Sequence, residues 1–449
     1  DLFGPYPFPK FAVVENFFPT GYGFPSYTLI GGRVLRLPFI VRTSLGHEIA
    51  HCWWGNGVLV DYTEGNWSEA LTTYCADYLY REDASPGDAR NHRQQMLRNF
   101  ATLVDQQNAM PLNRFQSRYS PATRSIGYDK GAMVFHMLRQ LLGEDAFWNA
   151  LREIYRDFLF TPVGWQTFQR TFERHGQRDL DVFFRQWLTR TGAPRLAFEK
   201  VTTERRQSEW ITTGYVVQNR PYYDLHTDLK LHTVEAAQTA GIKLSGPRTP
   251  FTLHSRTAPV KLALDPDVNI FRKLDNSEIP PSVNSVKGAP DVAVVLAEGL
   301  DPAIQRAAQT LLRGLGIDPN RIIEEQKADD AFLKAHNLIL VGYSGKITLG
   351  AEGNKIRLEP NGIVIDDALY GAPEDAFFGV FRHPLVPDRL AALFWPQASA
   401  YAEVTARKIT HFGKYSYLAF QGGRNVVIGI WPVVDSPVVY RLPEAIIRN

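Results

Sequence analysis

The sequence predicts a multidomain α+β protein. A helix-rich domain carrying a metal motif spans 1–197, a small β-sandwich spans 198–285, and an α/β domain of unknown role spans 286–449. Three observations predict this. Between Thr43 and Leu188, apolar residues recur at spacings of three and four in Asp88–Val104, Lys130–Leu142, Asp145–Phe158 and Trp165–His175, separated by Pro and Gly breaks. From about Leu196 the period falls to two, in Gly214–Gln218, Leu229–Thr233 and Val260–Leu264, which read as strands joined by turns up to about Ile279-Pro280-Pro281. Beyond that, Val292–Leu296 and Asn337–Gly342 read as buried strands around a helix-like Pro302–Leu315.

The first helix of interest holds His47-Glu48-Ile49-Ala50-His51. Imidazoles four residues apart project from one helical face and reach one metal ion, while Glu48 lies one step round, placed to touch water at that ion. Two neutral nitrogen ligands beside a carboxylate base suit a zinc hydrolase. Thr43 or Ser44 is placed to cap the helix, and Gly55 to end it after Trp54. The plain alternative is a buried helix whose histidines are satisfied core groups.

A hydrolytic zinc site takes three protein ligands and one open position. Seventeen residues (52–68) separate His51 from Glu69, room for a turn at Gly55-Asn56-Gly57, a strand-like Val58–Tyr62 and a return helix. Glu69 is therefore the candidate third ligand, with Glu64 its rival. Asn66 and Glu69 also fit a metal-free capping box.

These residues resemble the aminopeptidase-N and leukotriene-hydrolase family of gluzincin zinc peptidases, over roughly residues 10–197. His47–Asn56 is similar to the family's zinc helix and its aromatic-Gly-Asn exit, and Glu69 to its glutamate ligand, with one residue fewer between. Tyr128-Asp129-Lys130-Gly131 resembles its Tyr-x-Lys-Gly, and Ala12-Val13-Val14-Glu15-Asn16 its Gly-x-Met-Glu-Asn strand, with Ala and Val replacing Gly and Met. Phe183–Leu188 and Gly192-Ala193-Pro194 are similar to the close of its catalytic domain. The resemblance implies a thermolysin-like domain holding one Zn²⁺ through His47, His51 and Glu69, with Glu48 as base and the Tyr128 hydroxyl stabilising the oxyanion. It also implies that Glu15 and Asn16 bind substrate, Glu15 holding a free α-amine. The family carries a large β-domain ahead of that strand.

Zinc-dependent peptide hydrolysis, aminopeptidase-like, is the resulting expectation. The alternatives are a zinc endopeptidase, a hydrolase of non-peptide bonds and a non-catalytic peptide-binding scaffold. A net charge of +2 without a basic stripe gives no footprint for nucleic acid, and no apolar run reaches membrane-spanning length. The start, Asp1-Leu2-Phe3-Gly4, lacks an initiator Met and a signal pattern, so a processed or excised product is expected, its address open with an extracytoplasmic one favoured. Cys52 and Cys75 read as small core residues, a disulfide between them staying open. His226, His232 and His254 lack metal-like spacing, and Gly342-Tyr343-Ser344-Gly345 is a weak glycine loop that reads as a turn. Oligomeric state is not readable.

Overall fold

A computed structural model describes residues 2–18, 21–37, 40–343, 347–350, 356–433 and 435–442. The chain forms two compact units, one of residues 1–275 with 436–449 and one of 276–435. The architecture is mixed α+β, a helix-rich N-terminal region followed by a β-rich one.

Unit 1 opens with β1 (Ala12–Asn16), β2 (Gly21–Phe24) and β3 (Tyr27–Gly31) in the order β1-β3-β2, β3 running parallel to β1 and antiparallel to β2. β1 and β2 are thus opposite edges of one sheet. The short α1 (Gly32–Leu35) leads to α2 (Ser44–Ala50), which carries the histidine pair. α2 is shorter than the sequence predicts: it closes at His51, and Trp54 is already in β4 (Trp54–Gly55). Gly55 does take positive φ (+115°), but in the exit strand rather than as the helix's terminator. Thr43 is the N-cap residue, although its side chain makes no capping bond. β5 (Val58–Val60) joins β4 and β6 (Pro162–Val163) in a small parallel sheet.

Two π-helical turns interrupt the helices that follow, and such turns concentrate at functional sites. α3 (Ser68–Thr72) passes through one, Thr73–Tyr78, into α4 (Leu79–Ala84). After α5 (Pro86–Leu103), α6 (Pro121–Arg124) passes through the second, Ser125–Lys130, into α7 (Gly131–Leu142). α8 (Glu144–Asp157), α9 (Trp165–Gly176) and α10 (Asp181–Thr189) complete the helical part. Its core is aromatic: Trp54, Trp67, Phe135, Phe147 and Phe168 are fully buried.

The chain then pairs β7 (Leu196–Arg206), β8 (Glu209–Gln218) and β11 (Arg248–Ser255) in one antiparallel sheet, in the order β11-β8-β7. β9 (Leu225–Thr233), β10 (Ala237–Leu244) and β12 (Pro259–Leu264) form a second. Burial alternates along β8, with Trp210, Thr212, Gly214, Val216 and Gln218 inward, as a half-buried strand requires. Val439–Arg441 pairs with β12, so the end of the chain returns to unit 1 and does not continue a segment 286–449.

Unit 2 contains α11 (Val283–Lys287), β13 (Val292–Leu296), α12 (Pro302–Leu315), β14 (Ile322–Glu324), α13 (Asp330–Ala335) and β15 (Asn337–Val341). A small meander follows, β16 (Ile356–Glu359), β17 (Gly362–Ile365) and β18 (Ala368–Tyr370), then β19 (Asp375–Arg382), β20 (Leu390–Pro396), α14 (Ala402–Ile409), β21 (Tyr417–Gln421) and β22 (Arg424–Gly429). Seven strands form one sheet, β14-β13-β15-β20-β19-β21-β22, parallel as far as β20 and antiparallel beyond it. β13 is buried on both faces. Val292, Val294 and Leu296 pack with α12 and α14, and Ala293 and Val295 join Ile363, Phe377 and Trp431 opposite. β15 stops at Val341 because Gly342 takes φ +75°. Ser344 and Gly345 lie outside the described residues.

Candidate metal centre

α2 buries Gly46, His47, Glu48 and Ala50. Gly46 lets it sit against Tyr80, whose ring would lie 2.5 Å from a Cβ there. The two imidazoles are 4.9 Å apart, nearly perpendicular. His47 Nε2 lies 3.3 Å and His51 Nε2 3.5 Å from the same Glu69 oxygen, Oε2. Ligand atoms of His47, His51 and Glu69 all fall within 4.8 Å of one another, the one such group of three among the described residues.

The far nitrogens fix the rings. His51 Nδ1 is 3.0 Å from the Trp54 carbonyl, which only accepts, so this nitrogen donates and the ring is held with Nε2 towards Glu69. His47 Nδ1 is held 2.8 Å from Asp77 Oδ2. Asp77 lies in the π-helical turn after α3, so one helical segment supplies both Glu69 and the carboxylate behind His47. Two oriented imidazoles, a carboxylate and a half-buried aspartate behind one ring suit zinc.

The protonation equilibria agree. Burial pushes the His47 imidazole down, but hydrogen bonds to Asp77 and Glu69 outweigh it and hold its pKa up at about 10, a proton standing where a cation would. Burial would raise the Glu69 carboxyl, yet hydrogen bonds from His47 and His51 take it well below the ordinary carboxylate range. Glu48 moves the other way: burial lifts its pKa above the usual value against the opposing pull of His47 and His51, with Arg118 adding a smaller one.

Just ahead of α3, the Asn66 side chain accepts from the Ser68 amide at 3.0 Å and the Ser68 hydroxyl at 2.8 Å. The Asn66 amide bonds the Phe115 carbonyl, so no capping box forms and Glu69 turns to the histidines. The rival Glu64 accepts from the Gln166 amide at 2.9 Å, at the start of α9. Tyr128, in the second π-helical turn, stacks parallel to His47 at 6.0 Å. Its hydroxyl hydrogen-bonds Glu69, and burial together with that carboxylate drives its pKa well above the ordinary phenol value. Gly127 admits Phe115 edge-on to the Tyr128 ring, 6.1 Å away.

Glu15 and Asn16 are not brought to this group. The exposed Glu15 carboxylate is bound by both Arg36 nitrogens at 2.8 and 3.2 Å, and the Asn16 side chain accepts from the Phe17 amide. β2 is the strand against Glu48. A Cβ at Gly21 would stand 2.7 Å from Glu48 Oε1, and one at Gly23 2.9 Å from Oε2 and 3.1 Å from His51 Cβ. Cys52 and Cys75 are free and buried, outside the metal group.

The sequence reading missed Asp77, Arg118 and the two β2 glycines. For Asp77 a signal existed: an acid eight residues past Glu69 recurs near the same helical face. The Trp54 carbonyl, a backbone group, leaves no trace in a sequence.

Residues 40–187 match the Peptidase family M1 domain. Aminopeptidase Ey of Gallus gallus is 26% identical over 200 residues, 40% of this chain and 20% of that protein. Aminopeptidase N of Rattus norvegicus is 25% identical over 205 residues, again 40% and 20%. The chain thus spans about a fifth of the length of these relatives. The crystal structure of Legionella pneumophila aminopeptidase A superposes with a TM-score of 0.46 at 16% identity, covering 72% of this chain and 37% of that one. The stretch similar to the Peptidase family M1 domain and the group formed by His47, His51 and Glu69 coincide, all three residues lying within 40–187.

Proposed function

We propose that this domain hydrolyses peptide bonds, with one zinc ion held by His47, His51 and Glu69. The observation that carries the reading is the convergence of both Nε2 atoms on Glu69 Oε2, with Glu48 buried on the same helix. We read residues 1–197 as a thermolysin-like catalytic domain, 198–285 as a β-sandwich, and the doubly covered sheet of unit 2 as an α/β domain.

When bound, zinc supplies Lewis acidity that acidifies water and polarises the substrate carbonyl. Glu48, its affinity for protons raised by burial, takes the proton from the attacking water and delivers it to the leaving amine nitrogen. One water is consumed: its oxygen bonds to the carbonyl carbon, its proton passes through Glu48 to the nitrogen, and the C–N bond breaks. Tyr128 keeps its phenolic proton at any working pH, so its hydroxyl donates to the carbonyl oxygen as negative charge develops there. Asp77 and the Trp54 carbonyl hold the rings still. The Glu48→Gln variant tests the assignment. It should keep zinc near one per chain while peptide turnover falls at least about 100-fold, and turnover within tenfold of the parent would remove Glu48 as the base.

A further inference from the structure

His51 is oriented by a backbone carbonyl, and a carbonyl is only as steady as the residue that bears it. Its Nδ1 lies 3.0 Å from the carbonyl of Trp54. The Trp54 indole N–H is buried without a hydrogen-bond partner among the described residues, so ring contacts rather than a polar bond set that side chain. Phe3 meets it edge-on at 5.4 Å, and Trp67 and Tyr155 at 6.4 Å each.

Phe3 belongs to a segment ahead of β1 that touches all three residues following His51. The Tyr6 hydroxyl lies 3.5 Å from Cys52 Sγ, and the Tyr6 ring 5.3 Å from that of Trp53. The Trp53 indole N–H donates to the Gly4 carbonyl at 3.2 Å, and the Phe3 ring stands 6.0 Å from Trp53. α8 anchors the segment in turn. The Tyr155 hydroxyl donates to the Pro5 carbonyl at 2.6 Å, and Trp148 lies 6.3 Å from Phe3. Gly4 takes φ +125°, and a Cβ there would stand 2.9 Å from the Tyr155 ring, so glycine lets the segment lie this close.

We propose that residues 3–6 are a strap that positions the metal centre: Phe3, Gly4 and Tyr6 hold Trp53 and Trp54, and through the Trp54 carbonyl they hold His51. A group behind a ligating imidazole narrows the ring's orientation, so losing it lowers metal affinity without removing a donor. The inference rests on zinc binding by His47, His51 and Glu69, and adds positioning residues far from them in sequence.

The test is competition for zinc between the full chain and a chromophoric chelator, with the absorption spectrum of the cobalt(II)-loaded chain as a second readout. Phe3→Ala should weaken zinc binding about tenfold and shift the visible cobalt bands, the lower end of what losing an outer-shell partner does. Phe3→Leu, which restores apolar bulk, should return the affinity to within about threefold of the parent. Trp53→Phe keeps a ring and loses only the N–H that binds Gly4, and should cost about threefold. Phe100→Leu controls for lost packing. Phe100 is buried on α5 against Phe271, 4.8 Å away, and this variant should lower the unfolding midpoint while zinc affinity and cobalt spectrum stay as in the parent. Phe3→Ala with zinc affinity within about twofold of the parent and an unaltered cobalt spectrum overturns the strap and leaves the metal centre standing. Equal losses of affinity in Phe3→Ala and Phe100→Leu also overturn it, since destabilisation alone then suffices. A parent chain that takes up no zinc overturns the metal reading and this inference with it.

Discussion

At the scale of single residues, the centre depends on which nitrogen of each histidine is occupied. His51 is fixed by a backbone carbonyl and His47 by Asp77, 2.8 Å from its Nδ1. A carboxylate behind a ligating imidazole sets its tautomer and strengthens it as a donor, typically worth a factor of about 10–100 in metal affinity. Asp77→Asn should therefore weaken zinc binding by about that factor in a competition titration against a chromophoric chelator, a readout independent of turnover. Unchanged affinity would reduce Asp77 to packing. The histidines of the candidate metal group were legible in the sequence, because i, i+4 histidines around a glutamate impose their geometry wherever the helix forms. Glu69 was legible only with its rivals, and the structure separates them by the hydrogen bonds each one makes. Asn66 accepts from Ser68 without Glu69 taking part, and Glu64 is engaged at the start of α9.

At the scale of elements, the long amphipathic helices could be read to within a residue or two, since their apolar stripes face one core. The π-helical turns could not, although one holds Asp77 and the other Tyr128. An added residue per turn leaves no mark in composition. The edge strands were harder still: β1 resembled the substrate strand in sequence, whereas the backbone pressed on Glu48 is β2, and pairing order is a long-range property. Lys130 ties the second π-helical turn to the segment leaving α10. It is fully buried and donates to the carbonyls of Arg190 at 2.9 Å and Gly192 at 3.4 Å, work that a neutral amine's two N–H groups suffice for. Burial lowers its pKa from 10.5 to about 7. The unfolded chain keeps this lysine charged up to its ordinary value, so between about pH 7 and 10.5 the unfolded state binds more protons and stability rises with pH. Below that window the cost of the buried amine is fully present. The free-energy difference between the parent and Lys130→Met should change across the window by up to about 1.4 kcal/mol per pH unit, in favour of the parent as pH rises. Denaturant titrations at pH 6.5, 8 and 9.5 give it, and a flat difference would mean that Lys130 stays charged when buried.

At the scale of the whole molecule, the two units have separate means of support. Unit 1 combines an aromatic helical core with the metal group, while unit 2 encloses its seven-stranded sheet between two apolar clusters drawn entirely from its own residues. The sequence carried the change of period at Leu196 and the buried strands of unit 2. It did not carry the return of Val439–Arg441 to β12, because three residues are too few to show a period or name a partner. This division predicts how metal and stability are coupled. A ligand that binds only the native state stabilises it by RT ln(1 + [L]/Kd), about 4 kcal/mol at a thousandfold excess over Kd. Spread over a unit of this size, that corresponds to a rise of roughly 8 °C in its midpoint. His47, His51 and Glu69 all belong to unit 1, so the rise should be confined to it. Calorimetry of the full chain should then show two transitions, one falling by several degrees when a chelator strips the zinc and one unmoved. The falling transition should recover on adding zinc back, and should be insensitive to chelator in a His51→Ala variant. A single transition that shifts as a whole would show that the units unfold as one, and two transitions both indifferent to chelator would mean that the three side chains bind no ion.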